Sequence, residues 1–250
     1  MELNIKNKRV LVTGSSKGIG FGILNSFVNE GSVVIANSRN NDALKKITNE
    51  LKCHSISADV SNPEQAKDLI EKSIELMGGL DILICNVGTG LSVPPGQESR
   101  EEWERIFNMN FFSTTNIVEA ARPYLKDSSG TIVCISSICG TNIVNGAPIT
   151  YSVAKAALNH YVQAISIPLA KDKVRINAIA AGNILFKGSS WEDKLKKDES
   201  GVLDMIKQNV PLNKFGDIAD VANLTLYLSS PVSKFVTGSI FHVDGGQSCK

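Results

Sequence analysis

Short apolar runs and longer amphipathic stretches alternate along the chain. The runs cover residues 9–13, 33–37, 54–59, 81–86, 131–136, 174–180 and 239–243, and several are almost continuous in Val, Ile and Leu. Runs of this kind suit strands covered by helices on both faces. Helix-like segments lie between them, among them 19–30, 63–77, 101–125, 151–170 and 218–228. Strands alternating with helices imply right-handed crossovers and a parallel sheet. The pattern therefore predicts an α/β fold: a single doubly wound parallel sheet of about seven strands, flanked by helices on both faces. No linker, repeat or low-complexity tract interrupts residues 1–250, so one domain is expected.

Two stretches break the rhythm. Residues 88–100, "GTGLSVPPGQESR", are rich in Gly and Pro and read as a loop. Residues 186–209 are charged and helix-prone, and they separate the last two strands. Both leave the carboxyl ends of strands, where open α/β sheets bind ligands. The second is expected to form a lid insertion over about 184–210, although mixed charges also suit a plain solvated helix.

Composition narrows the partners. The formal net charge is +1 over 250 residues, which gives no bulk electrostatic case for nucleic acid or an anionic membrane. The five cysteines, Cys53, Cys85, Cys134, Cys139 and Cys249, are an odd number without close pair spacing, and they read as reduced thiols. The opening "MELNIKNKRVLVTG" has no apolar stretch of signal-peptide length, and no run reaches the ~18 apolar residues of a spanning helix. A cytoplasmic protein without membrane partners is the expectation. His54, His160 and His242 are scattered and suggest no metal cluster.

Candidate chemistry begins at "VLVTGSSKGIGFGI". Thr13, Gly14, Gly18 and Gly20 fall between the first strand and first helix. Glycines there permit a tight turn and let backbone N–H groups approach a diphosphate at the positive helix end. Turn chemistry alone would explain one glycine, and cofactor binding explains the set better. The second strand ends "VVIANSRN", so Asn37 stands where an acid would hold ribose hydroxyls, and Ser38 and Arg39 follow. With Lys17 in the glycine turn, two cations and no carboxylate favour a 2′-phosphate, hence NADP(H) over NAD(H).

Further on, "YSVAK" puts Tyr151 and Lys155 on one side of a helix at i and i+4. A free phenol titrates near ~10, and a neighbouring ammonium favours the phenolate. Upstream, "CISSICG" ends a predicted central strand on Ser136 and Ser137, whose hydroxyls can face the same crevice.

Taken in order, "TGSSKGIG", "ADV", "CNVG", "NMN", "SSICG", "YSVAK" and "INAIAAG" resemble the short-chain dehydrogenase/reductase family over essentially the whole length. The resemblance implies a Rossmann-type domain and an NADP(H)-dependent carbonyl or secondary-alcohol oxidoreductase, assembled as a homo-oligomer. It implies Tyr151 as general acid/base, Lys155 as its partner on the nicotinamide ribose, Ser137 as the carbonyl-polarising hydroxyl and Asn110 as a helix-bending residue that supports a proton relay. It implies cofactor contacts at Gly14, Ser16, Lys17, Gly18, Ile19 and Gly20, and at Ser38 and Arg39. Asp59 and Val60 resemble adenine contacts, Asn86 and Gly88 a strand turn on the adenosine side, and Gly182 and Ile184 the approach to the nicotinamide. A non-catalytic NADP(H)-binding sensor or scaffold is the alternative.

Three positions depart from the family pattern. Cys85 and Val87 flank Asn86 in "CNVG", Ala181 precedes Gly182, and Phe186 stands where a threonine often holds the nicotinamide carboxamide. Phe186 is expected to begin a substrate wall built from residues 91–95, 138–149 and 186–203. Thr141, Asn142 and Asn145 suit a sugar-like substrate, whereas Ile138, Ile143, Phe186 and Trp191 suit an acyl chain. A 3-oxoacyl thioester, a keto-sugar or a similar small ketone is the substrate class expected.

Overall fold

The computed structural model describes residues 2–249. Its seven strands, β1 (Arg9–Val12), β2 (Val33–Ser38), β3 (His54–Ser57), β4 (Ile82–Cys85), β5 (Thr131–Ser137), β6 (Arg175–Ala181) and β7 (Ile240–Val243), form one sheet in the order β3-β2-β1-β4-β5-β6-β7. Every pairing is parallel. The order reverses between β1 and β4, which opens a crevice at the carboxyl ends of those strands.

Both sheet faces are covered. The middle strand β5 is buried at all seven positions; Ile132 and Cys134 join one apolar cluster, Val133 and Ile135 the other. Helices α3 (Pro63–Met77), α5 (Ser113–Ser128) and α6 (Ile149–Lys171) pack on the first face, and α1 (Gly18–Asn29), α2 (Asn41–Leu51) and α9 (Ile218–Ser229) on the second. Helix α2 was not anticipated from the sequence. It is anchored by Leu44 and Ile47 alone and started by Asn40, whose side chain accepts from the Ala43 N–H at 3.0 Å.

The single helix expected over 101–125 is three pieces: α4 (Arg100–Phe107), a π-turn at Asn108–Phe112, and α5. The expected lid contains α7 (Ser190–Lys197) and α8 (Glu199–Asn209). Its two ends are joined by an isolated parallel bridge, Ile184 to Gly216. Leu185 N–H donates to the Gly216 carbonyl at 2.9 Å and Gly216 N–H to the Asn183 carbonyl at 3.0 Å. Among the described residues no helix is long and apolar enough to cross a membrane. All five cysteines are free thiols.

Candidate active site

The glycine turn after β1 is shaped by close approach. Gly14 and Gly18 both take φ of +61°, a region that L side chains avoid. A Cβ on Gly14 would stand 3.0 Å from Val87 Cγ2, and one on Gly20 would collide with the Asn86 amide and the Gly14 carbonyl. Asn86 is the splint here: its Nδ2 donates to the carbonyls of Thr13 (3.1 Å) and Gly14 (3.0 Å). Asn86, expected at a strand turn on the adenosine side, thus has its amide engaged in holding the glycine turn. Lys17 is the N-cap of α1 and offers no side-chain cap, so the first-turn N–H groups point out of the turn without a partner from that residue. Ser16 and Ile19 flank it, half-buried. A cradle that any Cβ would fill, opening on an uncapped helix start, fits a diphosphate.

At the end of β2, Asn37 is buried and bridges outward: its Nδ2 donates to the carbonyls of Ile56 (3.1 Å) and Ala58 (3.2 Å). Ser38 engages the backbone of Asn40, accepting from its N–H at 3.1 Å. Arg39 is exposed and pairs with Asp59 at 3.5 Å. Burial works to raise the Asp59 carboxyl, but the Ser61 hydroxyl and amide and the Arg39 charge outweigh it and hold the group below its usual range. Val60 is buried, and its carbonyl accepts from Asn116 Nδ2 at 3.2 Å. Arg39 and Asp59 thus meet just beyond the carboxyl ends of β2 and β3.

The reacting groups gather at the ends of β4 and β5. The Ser137 hydroxyl accepts from Cys139 N–H at 3.2 Å and lies near enough to the Tyr151 phenol to act on its proton. Ser136 instead has a buried hydroxyl with no partner among the described residues. The Lys155 ammonium is buried, donates to the Ile135 carbonyl at 2.9 Å, and lies 6.0 Å from the Tyr151 ring centroid. Burial pulls Lys155 down to about 8. Burial also pushes the Tyr151 phenol up to about 12, against the opposing hydrogen bond with Ser137. The lowering of the phenol expected from a neighbouring ammonium is thus absent: burial raises it, and at 6.0 Å from the ring the lysine does not offset that.

Asn110 sits fully buried in the π-turn. Its Nδ2 donates to the carbonyls of Ile106 (3.1 Å) and Thr89 (3.2 Å), and its Oδ1 accepts from Thr89 N–H at 3.0 Å. The widened turn frees the Ile106 carbonyl for this contact. Gly88 lies between Asn110 and Lys155: a Cβ there would come 2.7 Å from Asn110 Oδ1 and 3.2 Å from Lys155 Nζ. Its role as a spacer between two polar groups was not legible from "CNVG".

The rim corrects several expectations. The Phe186 ring, expected to begin a substrate wall, lies on the glycine turn, 2.8 Å from the place of a Cβ on Gly18. The chain after Gly182 turns back toward α1, a direction no local pattern encodes. Gly182 itself is crowded by Asp244, whose Cβ would be 2.7 Å from an added Cβ, rather than by anything in the crevice. The lid bridge uses Leu185, Asn183 and Gly216 and leaves the Ile184 N–H and carbonyl out of it. Thr141 and Asn142 are already engaged, with His242 Nε2 at 3.0 Å from Thr141 Oγ1 and Asn142 Nδ2 donating to the Ser248 carbonyl at 3.1 Å. Ile138 is core, and Ile143 is wholly exposed. Across the mouth, Trp191 packs on Phe215 with ring centroids 5.5 Å apart, and Lys194 sits 4.2 Å over the Trp191 ring.

The glycine cradle, the Ser–Tyr–Lys group and the buried Asn110 together direct comparison with known proteins. Residues 14–248 match the family described as enoyl-(acyl carrier protein) reductase. A tropinone reductase homolog of Arabidopsis thaliana is 33% identical, covering 97% of this chain and 93% of its own. A 3-oxoacyl-[acyl-carrier-protein] reductase of Aquifex aeolicus is 30% identical over 98% of this chain and 99% of its own. The chain belongs to the short-chain dehydrogenase/reductase family. L-sorbose reductase of Gluconobacter frateurii, solved with NADPH and L-sorbose, superposes with a TM-score of 0.90 at 27% identity, covering 100% of both chains. As a short-chain dehydrogenase/reductase the protein is an oxidoreductase that acts on CH–OH groups and the corresponding carbonyls, on the Rossmann-type sheet described above.

Proposed function

We propose that this short-chain dehydrogenase/reductase is an NADP(H)-dependent enzyme that interconverts a small ketone and its secondary alcohol, with Tyr151 as general acid/base. The observation that carries the reading is the convergence of Ser137, Tyr151 and Lys155 at the strand ends that adjoin the glycine cradle. The cofactor, when bound, supplies or accepts the hydride at the carbonyl carbon.

This chain's residues do the rest. Gly14, Ser16, Lys17, Gly18, Ile19 and Gly20 hold the diphosphate on the open start of α1. Arg39, with Ser38 beside it, receives the 2′-phosphate, and Asp59 and Val60 border the adenine. Ile184 offers its unengaged backbone groups to the nicotinamide amide, and Lys155 takes the ribose. Ser137 donates to the carbonyl oxygen and orients it. Tyr151, protonated at neutral pH, gives that oxygen its proton during reduction, and the phenolate left behind regains one from the Lys155 ammonium; in oxidation the phenol must first pass its proton out along the same route before it can take the alcohol's. Asn110 fixes the loop at Thr89 and faces Lys155 across Gly88, from where the lysine is reprotonated through solvent.

The substrate belongs to the 3-oxoacyl thioester or keto-sugar class named for the relatives above. The engagement of Thr141 and Asn142 leaves fewer hydroxyl-reading groups and favours an apolar body. A cytoplasmic homo-oligomer completes the reading. The test is a panel of ketones, 3-oxoacyl thioesters and keto-sugars with NADPH, run alongside the alcohols with NADP+. Turnover with at least one pair, reduced about 10²-fold or more by Tyr151→Phe, is expected. Full turnover in Tyr151→Phe would overturn the assigned mechanism, and binding of NADPH without turnover on any pair would favour a sensor.

A further inference from the structure

A second concave site lies at the opposite edge of the sheet, at the amino ends of the strands. There a cleft of about 410 Å³ is bordered by Lys8, Lys173, Arg175 and Lys234. Its one carboxylate among the described residues, Asp81, is already engaged by Arg9 Nε at 2.8 Å and by Lys8 at 3.9 Å. Arg175 directs its guanidinium to carbonyls only, those of Leu228 (2.9 Å), Val236 (3.1 Å) and Ser230 (3.2 Å). Its charge is fixed in place and not neutralised by a carboxylate.

Two buried hydroxyls border the same cleft. Thr131 pairs with Arg175 across β5 and β6, so their side chains share the sheet face on which α9 packs, and Ser229 is the last residue of α9. Thr131 and Ser229 are 4% and 5% exposed, and neither Oγ has a partner among the described residues. A buried hydroxyl without a partner is costly, and native structures satisfy nearly all of them. Cations after helix ends offset the carboxyl-terminal dipole, which accounts for Lys173 after α6 and for Arg175, whose guanidinium meets the last carbonyls of α9. It does not account for two unpartnered donors beside four cations.

We propose that this cleft binds a phosphate-type oxyanion, with Thr131 and Ser229 donating hydrogen bonds and Lys8, Lys173, Lys234 and Arg175 supplying the charge. The site is separate from the catalytic crevice and independent of the reading given for it.

Thermal unfolding of the full chain in inorganic phosphate and in glycerol 3-phosphate tests the site, against chloride at equal ionic strength and with or without saturating NADPH. Expected is a saturable rise in Tm with at least one of the two phosphates, additive with NADPH. Lys173→Glu with Lys234→Glu should abolish that rise, and Thr131→Val, nearly the same size without the hydroxyl, should weaken the apparent affinity severalfold. The NADPH-induced rise should stay intact in both. A larger response to inorganic phosphate identifies the free anion as the ligand, and a larger one to glycerol 3-phosphate identifies a phosphate carried on a metabolite. A rise no greater than chloride gives, one abolished by NADPH, or one that survives unchanged in both variants would overturn the proposal.

Discussion

The Phe186 ring rests on Gly18, with its Cε2 atom 2.8 Å from where a β-carbon on that glycine would stand. The segment after β6 and the glycine turn after β1 are therefore in direct contact, and each constrains the other. Gly18→Ala places a side chain at φ +61° and beneath that ring at once. The backbone part costs about 1–2 kcal/mol, and the collision adds to it. Phe186→Ala relieves the second cost and not the first. A double-mutant cycle on unfolding free energy should give a coupling of about 0.5–3 kcal/mol. Strict additivity would show that the ring lies elsewhere in solution.

Arg39 and Asp59 make the cofactor preference measurable. A charge-assisted contact to a 2′-phosphate is worth about 1.5–3 kcal/mol, so Arg39→Asp should raise KM for NADPH by roughly tenfold or more. KM for NADH should change little, because NADH offers nothing for the guanidinium to hold. Equal losses with both would remove the phosphate assignment.

The pH dependence follows from the two buried groups. In the role proposed for it, an acid in reduction, Tyr151 would work below its pKa, which burial raises to about 12, so the phenol keeps its proton throughout the neutral and mildly alkaline range. Lys155 is positive only below about 8, where burial has lowered it. As pH rises, the ammonium therefore discharges first, and kcat/KM for reduction should fall through about 8. A profile that stays level until the phenol itself titrates would show that the ammonium is not required.

Stability has its own pH signature at the far edge of the sheet. Burial favours a raised Asp81 carboxyl, but the Arg9 side chain and amide outweigh it and hold the group below its usual range. A depressed folded-state value means that the pair stabilises above the unfolded pKa and loses that contribution as pH falls through the folded one. Asp81→Asn should lower stability by about 1–3 kcal/mol at neutral pH, with the difference closing in acid. Denaturant midpoints measured from pH 7 downward check this, and a deficit that persists unchanged in strong acid would count against the ion pair.

The strands were legible because parallel strands buried on both faces read as unbroken apolar runs, and β5 is such a run from end to end. Helix α2 was not, since two core residues in a polar segment leave little periodicity. Residues 101–125 read as one helix because a π-turn adds one residue to a single turn and hardly disturbs the apolar spacing. Tyr151 and Lys155 were legible as a pair at fixed spacing on a predicted helix, and Ser136 and Ser137 as the end of a predicted strand, with Ser137 singled out only by the family resemblance. Asn86 and Gly88 carried a signal, but their work, as splint and as spacer, depends on which strands become neighbours. The place of Phe186 depended on where the chain turns after Gly182, which rests on Asp244 and Gly216, both remote in sequence.

The bridge between Ile184 and Gly216 closes the lid segment like a clasp on a loop of cord. Between its two fastened points the cord also touches the rest of the molecule, through Phe186 on Gly18 and through Leu212, whose N–H donates to the Gly245 carbonyl at 3.1 Å. Residues added or deleted between α7 and α8 therefore change its reach while the clasp and these two contacts hold its ends. Cord length and one aromatic ring are thus the two adjustable parts of this segment.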